Sequence, residues 1–131
     1  MRHKLLWSLL IACVALIPAI SSAADTRAGE ISNREALALI ESGQSPRFVD
    51  VRTPQEFASG HVPGAINIPR DQLARRLAEL EDARDRLVVY CERGPRAAAA
   101  AATLADAGFT GVRHLEGDMS GWRAAGFPIE P

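Results

Sequence analysis

Cys91 is the residue whose surroundings point most directly to chemistry. It follows Leu87-Val88-Val89-Tyr90, an apolar run that reads as a central buried strand, and precedes Glu92-Arg93-Gly94-Pro95-Arg96, where a Gly-Pro break opens a helix. A strand that hands a cysteine to a short loop at a helix N-terminus places the thiol among unpaired backbone N–H groups and the positive end of the helix dipole. Several such donors around the sulfur would form an anion-binding nest. The nest favours thiolate over thiol, and thiolate is the nucleophile, so no dedicated general base is required. Arg93 and Arg96 add positive charge near the sulfur or an incoming anion. From the strand alone, Cys91 reads as a small buried hydrophobe. The strand–loop–helix setting and the two arginines turn that reading toward chemistry.

The elements that must hold this loop can be read along the chain. Ser32-Asn33-Arg34-Glu35 is a capping-box pattern, and Ala36, Leu37, Leu39 and Ile40 continue a short helix that Gly43 ends. Residues 25–30 read as a loose polar lead-in. Phe48 to Val51 is a short buried strand, Thr53 caps a helical turn with Pro54 in its first position, and Ala65 to Ile68 is a second strand. Asp71 to Leu80 is expected as a helix, with Leu73, Leu77 and Leu80 at three- and four-residue spacing. Arg96 to Ala107 is an alanine-rich helix capped by Gly108, Gly111 to Leu115 a further strand, and Ser120 to Ala125 a final turn. Strands alternating with helices imply one α/β domain with a mostly parallel central sheet and helices on both faces.

The three informative stretches together resemble the rhodanese family. Cys91-Glu92-Arg93-Gly94-Pro95-Arg96 is similar to its active-site loop, C-x-x-G-x-R. Asp50 to Phe57, then Gly60-His61-Val62-Pro63-Gly64-Ala65 and Ile68-Pro69, resemble its first signature, and Val112 to Met119 with Gly121-Trp122 resemble its closing segment. They occur in family order and span nearly all of the chain after residue 24. The resemblance implies a rhodanese-like three-layer domain and a sulfurtransferase that works through a persulfide on Cys91, with no cofactor. Thiosulfate or a similar small sulfur-donor anion would load the cysteine, and cyanide or a thiol, including a thiol protein partner, would accept the sulfur. The loop N–H groups would stabilise the persulfide, and Arg96 would hold loop or substrate. Related phosphatases and arsenate reductases resemble C-x5-R; here Arg96 stands five residues past the cysteine and Ala97 six. The cradle is one residue short for a tetrahedral phosphate, which favours sulfur as the transferred atom. Two departures stand out: Glu92 brings negative charge into an anion-attracting loop, and Asp118 occupies the place of a usual second glycine.

The remaining polar residues read as support. Asp50, Arg52 and Glu56 are expected as a buried charge cluster anchoring the turn after the strand, since buried charges need partners. His61 is expected to make a backbone hydrogen bond, Trp122 and Phe127 to be core, and no metal site is expected because neither His61 nor His114 has a second ligand nearby.

At the N-terminus, Met1 to Lys4 is basic, Leu5 to Ile17 almost wholly apolar, and Ser21 to Ala24 small. That order is a secretory signal peptide, residues 1–24, leaving a domain of residues 25–131 and a periplasmic destination if the source has two membranes. It falls short of a membrane span, so no membrane association is expected after cleavage. Leu10-Ile11-Ala12-Cys13 resembles a lipobox, the lesser alternative, because the chain stays apolar beyond Cys13. Cys91 is then the single cysteine of the exported domain, which excludes an internal disulfide and marks a reactive thiol. Residues 25–131 carry 13 arginines, no lysine and 16 acidic residues, net −3, and nothing points to nucleic acid. A protein-binding module or a non-turnover persulfide carrier is the alternative to an enzyme, although a pure binding module has no need of Cys91. A redox sensor would need a second thiol from elsewhere.

Overall fold

A computed structural model of the chain describes residues 29–131. The expected signal peptide and Cys13 lie outside the described residues. Five strands form one sheet: β1 (Glu30–Ile31), β2 (Arg47–Asp50), β3 (Ile66–Asn67), β4 (Leu87–Tyr90) and β5 (Arg113–Leu115). Their order is β1-β5-β4-β2-β3 and every pairing is parallel, so the sheet is wholly rather than mostly parallel. The helices are α1 (Asn33–Glu41), α2 (Pro54–Ala58), α3 (Pro95–Asp106) and α4 (Asp118–Ala124).

Alternation along the central strand divides the core into two layers, because successive side chains leave a strand on opposite faces. Leu87 and Val89 of β4, with Cys91 beyond it, pack with Val49, Leu73, Leu80, Ala97, Ala100 and Leu104. Val88 and Tyr90 pack on the other side with Phe48, Ala36, Met119 and Trp122, joined by Phe57 and Phe127. Alanines at the buried positions of α3 allow it to lie close on the sheet. Trp122 is fully buried, meets Phe127 edge-on at 5.2 Å and donates its indole N–H to the Pro128 carbonyl at 2.7 Å. It belongs to the core, as its sequence context suggests.

Local signals explain most element ends. Ser32 accepts the Glu35 N–H at 3.1 Å, but the return half of that box is absent because the Glu35 carboxylate faces Arg113 at 3.4 Å. The full reciprocal box forms instead at α2, between Thr53 and Glu56. Gly108, at φ +83°, follows the end of α3.

Two expectations are corrected. Residues 25–30 were expected as lead-in throughout, yet Glu30 and Ile31 pair with His114 and Leu115 as β1. The segment expected as one helix, Asp71 to Leu80, is two 3-10 helices, Arg70–Arg75 and Leu77–Ala83, separated at Arg76. The reason is periodicity: Leu77, Leu80 and Ala83 recur every three residues, which a three-residue turn places on one face.

The chain leaves β2 for β3 on one side and returns to β4 on the other. The C-terminal ends of β2 and β4 therefore flank the topological switch point, where open parallel sheets bind ligands. Asp50-Val51-Arg52 and Tyr90-Cys91-Glu92 meet there, and the Val51 N–H donates to the Tyr90 carbonyl at 3.1 Å.

Candidate active site

The site is built from the end of β4 upward. Tyr90 points into the α1/α4 layer, where its hydroxyl accepts the Val62 N–H at 3.1 Å. Burial, reinforced by the Asp50 carboxylate, pushes its phenol well above the ordinary range, so it stays neutral. Cys91 points the other way, 1 % exposed beneath the start of α3. The Gly94 N–H donates to Cys91 Sγ at 3.0 Å. Among the described residues this is the one backbone donor within reach of the sulfur, fewer than the several expected of a nest. Gly94 has φ +119°, a conformation L side chains rarely adopt, and Pro95 supplies the preset φ of the first helical position. The Gly-Pro pair thus turns the chain so that the helix N-terminus meets the thiol.

The opening of α4 closes the loop from below. Met119 and Ser120 donate their N–H groups to the carbonyls of Cys91 and Glu92 at 3.0 and 3.1 Å. Asp118 Oδ1 accepts the Cys91 N–H at 3.0 Å and lies 2.8 Å from His114 Nε2. The Asp118 hydrogen bond holds the His114 imidazolium above its ordinary range, against the opposing effect of burial.

The charged residues sort differently from the expected single cluster. Arg52 is 1 % exposed and grips Asp50 through Nε at 3.1 Å and Nη2 at 2.8 Å, with a further bond to the Gly60 carbonyl at 2.8 Å. Burial acts to lower its pKa, but the Asp50 carboxylate outweighs it and the net shift is upward. Asn67 ties the same turn by donating to the Asp50 and Arg52 carbonyls at 2.9 and 3.0 Å. Glu56 stands apart from Asp50 and Arg52. It forms a two-pronged pair with Arg96, at 2.7 and 3.0 Å, which holds its carboxyl down at about 2. Arg96 therefore clamps the Cys91 loop to α2, leaving its charge matched. Glu92 is likewise matched: Arg123 holds it at 2.6 and 2.7 Å, and Arg52 approaches at 3.3 Å. The negative charge that the sequence puts in the loop is offset by two guanidiniums. His61 lies off the loop, stacked on Phe57 at 3.6 Å with Nδ1 2.9 Å from the Phe57 carbonyl.

Two clefts flank the loop. One, about 160 Å³, lies at the mouth of the β2 turn and is lined by Val51, Arg52, Thr53, Pro69, Arg70, Asp71 and Arg96. Arg70 has no carboxylate partner there among the described residues, and its N–H donates to the Val51 carbonyl at 3.1 Å. The other, about 390 Å³, lies on the β5 side between Glu30, Arg93, Gly94, His114, Glu116 and Asp118. Arg93 is exposed and faces this second cleft rather than the first. Sequence reasoning missed Arg70, Arg123 and the role of His114. Asp118 had left a trace, as a departure from the glycine expected at its position.

Comparison with known proteins bears on the family and the fold. The family model described as a rhodanese-like domain matches residues 32–125. Thiosulfate sulfurtransferase 16, chloroplastic, of Arabidopsis thaliana is 36 % identical over 95 residues, covering 64 % of this chain and 79 % of that protein. An HTH-type transcriptional regulator of Mycobacterium tuberculosis is 45 % identical over 103 residues, 76 % of this chain. The match spans only 44 % of that regulator's length. The crystal structure of a rhodanese-related protein from Thermoplasma volcanium superposes with a TM-score of 0.66 at 31 % identity, over 77 % of this chain and 96 % of that one. From the cap of α1 to the end of α4, then, the chain belongs to the rhodanese-like family.

Proposed function

We propose that the protein is a sulfurtransferase that carries sulfane sulfur as a persulfide on Cys91, taking it from thiosulfate or a similar anion. The observation that carries this reading is the 3.0 Å bond from the Gly94 N–H to Cys91 Sγ at the start of α3. A donor aimed at the sulfur is placed to stabilise the negative charge of a persulfide there. In the first half-reaction the Cys91 thiolate attacks the outer sulfur of thiosulfate. A sulfur–sulfur bond forms, the bond to the sulfonate sulfur breaks, and sulfite leaves with that electron pair. In the second, cyanide or a thiolate attacks the outer sulfur and the electron pair returns to Cys91.

Donor recognition falls to Arg70 in this reading. Arg96 and Arg52 are committed to carboxylates, whereas the Arg70 guanidinium lines the smaller cleft unpaired among the described residues, where a sulfonate would find it. Pairing of Arg52, Arg96 and Arg123 with carboxylates also favours a second reading, a carrier whose acceptor is a thiol protein rather than a free anion. Export to the periplasm, proposed from residues 1–24, is consistent with either.

The test is thiocyanate formation from thiosulfate and cyanide, with Cys91→Ala alongside. Turnover that vanishes in Cys91→Ala is the expected result. Equal turnover in both proteins overturns the assignment.

A further inference from the structure

Asp118 is the one non-glycine residue at positive φ among the described residues, at +54°, and it is 4 % exposed. Holding a side chain in that backbone region carries a cost, smaller for Asp and Asn than for other residues. A buried carboxylate adds a further penalty unless it is paired. Both burdens fall on one group, and its partners show what it does. Oδ1 accepts the Cys91 N–H and meets His114 Nε2. Oδ2 lies 3.3 Å, and His114 Cε1 3.7 Å, from where a Cβ on Gly94 would stand. Carboxylate and imidazole are therefore packed directly behind the peptide whose N–H reaches Sγ.

We propose that Asp118 and His114 are a positioning pair for the Cys91 loop, the carboxylate fixing the cysteine backbone and the imidazolium cancelling its charge so that the loop tolerates anionic sulfur. The inference rests on the persulfide reading of Cys91. Other charges also face His114. Glu30 sits opposite it in the β1–β5 register, Glu116 follows β5, and Arg93 reaches the same cleft from the loop. Arg113, its neighbour on β5, is occupied by Glu35 of α1. Glu30 supports the imidazolium and Arg93 opposes it. Once His114 loses its proton, Nε2–H can still donate to Asp118, so the contact survives. The charge compensation does not: a bare carboxylate then stands behind the sulfur. Sulfur transfer is expected to fall as pH rises through the elevated His114 titration.

The full chain, as wild type, His114→Gln, Asp118→Asn and the double variant, tests this by three readouts. They are an NMR titration of His114, the pH profile of kcat/KM for thiosulfate, and the rate of Cys91 alkylation by iodoacetamide. Asparagine keeps an acceptor for the Cys91 N–H and tolerates positive φ. His114 is expected to titrate above the ordinary imidazole value of about 6.5 and to move down in Asp118→Asn. His114→Gln is expected to slow both turnover and alkylation at neutral pH by on the order of tenfold. Adding Asp118→Asn to it restores the rate. A His114 that titrates normally, or a double variant as slow as His114→Gln, overturns the proposal. If wild type shows no thiosulfate turnover, the sulfurtransferase reading fails, and the alkylation arm still decides whether the pair acts on Cys91.

Discussion

The Cys91 loop is held from two sides by ion pairs of different chemistry. Toward β2, arginines meet carboxylates: Arg52 with Asp50 and Glu92, and Arg96 with Glu56. Toward β5, an imidazole meets a carboxylate, His114 with Asp118. The arginines are always charged, so the first flank changes only when a carboxylate takes up a proton. The second changes when an imidazole gives one up. One side is thus a fixed clamp through the neutral range, and the other an adjustable one. The same fold edge can anchor the Cys91 loop rigidly and still let its electrostatic surroundings respond to pH.

Breaking the fixed clamp should have the largest effect. Arg52→Ala leaves the fully buried Asp50 carboxylate without its guanidinium and the Gly60 carbonyl without its donor. Removing one partner of a buried pair costs about 3–5 kcal/mol, so denaturant unfolding of this variant should show the greatest loss of stability in the set. Gly94→Ala strikes the hinge between the flanks. An L residue at φ +119° and a Cβ 3.3 Å from Asp118 Oδ2 should cost about 1–3 kcal/mol and displace the N–H that reaches Sγ. A variant that keeps full stability and turnover would show that the loop does not depend on this turn.

The pH dependence of stability sharpens the contrast because the two signs are opposite. Glu56 is lowered from 4.5 to about 2, so its contribution is complete above about 4.5 and disappears as pH falls through about 2. The pair is partly exposed, and solvent limits that contribution to about 1 kcal/mol. Glu56→Gln should remove this acid-side slope. His114 is raised, so its contribution is complete below the ordinary imidazole value and is lost as pH climbs through the raised one. Unfolding followed from acid to mildly alkaline pH should therefore show the α2 ion pair lost at one end and the charge contribution of the His114–Asp118 pair lost at the other. The smallest effect is expected at the cleft: Arg70→Gln should raise KM for thiosulfate by up to about fivefold, the worth of one exposed charge contact, with little change in stability.

What the sequence made legible follows from how local each signal is. The run Leu87 to Tyr90, the cysteine, the Gly-Pro break and the alanine helix are contiguous, and their order alone places the thiol at a helix start. The caps at Ser32 and Thr53 and the close of α3 at Gly108 are equally local. β1 was not legible, because two residues become a strand only when His114 and Leu115 lie beside them. The 3-10 helices were misread because Leu73, Leu77 and Leu80 satisfy an α-helical spacing as well; Ala83 is what favours a period of three. The pairs that decide the electrostatics of the loop, Glu92 with Arg123 and Arg96 with Glu56, join residues 31 and 40 apart. No spacing rule reaches that far. Asp118 is the instructive case. Its departure from glycine looked like a defect in the closing segment, and it is the residue whose side chain touches the Cys91 backbone.

The claim on which the rest depends is that Cys91 itself carries the sulfur. Intact mass of the protein after brief exposure to thiosulfate, beside Cys91→Ala treated identically, tests it most directly. The account expects the mass of a single added sulfur on the wild-type chain, removed by cyanide or dithiothreitol, and no addition on the variant. An unmodified wild-type chain, or the same addition on both proteins, would contradict it.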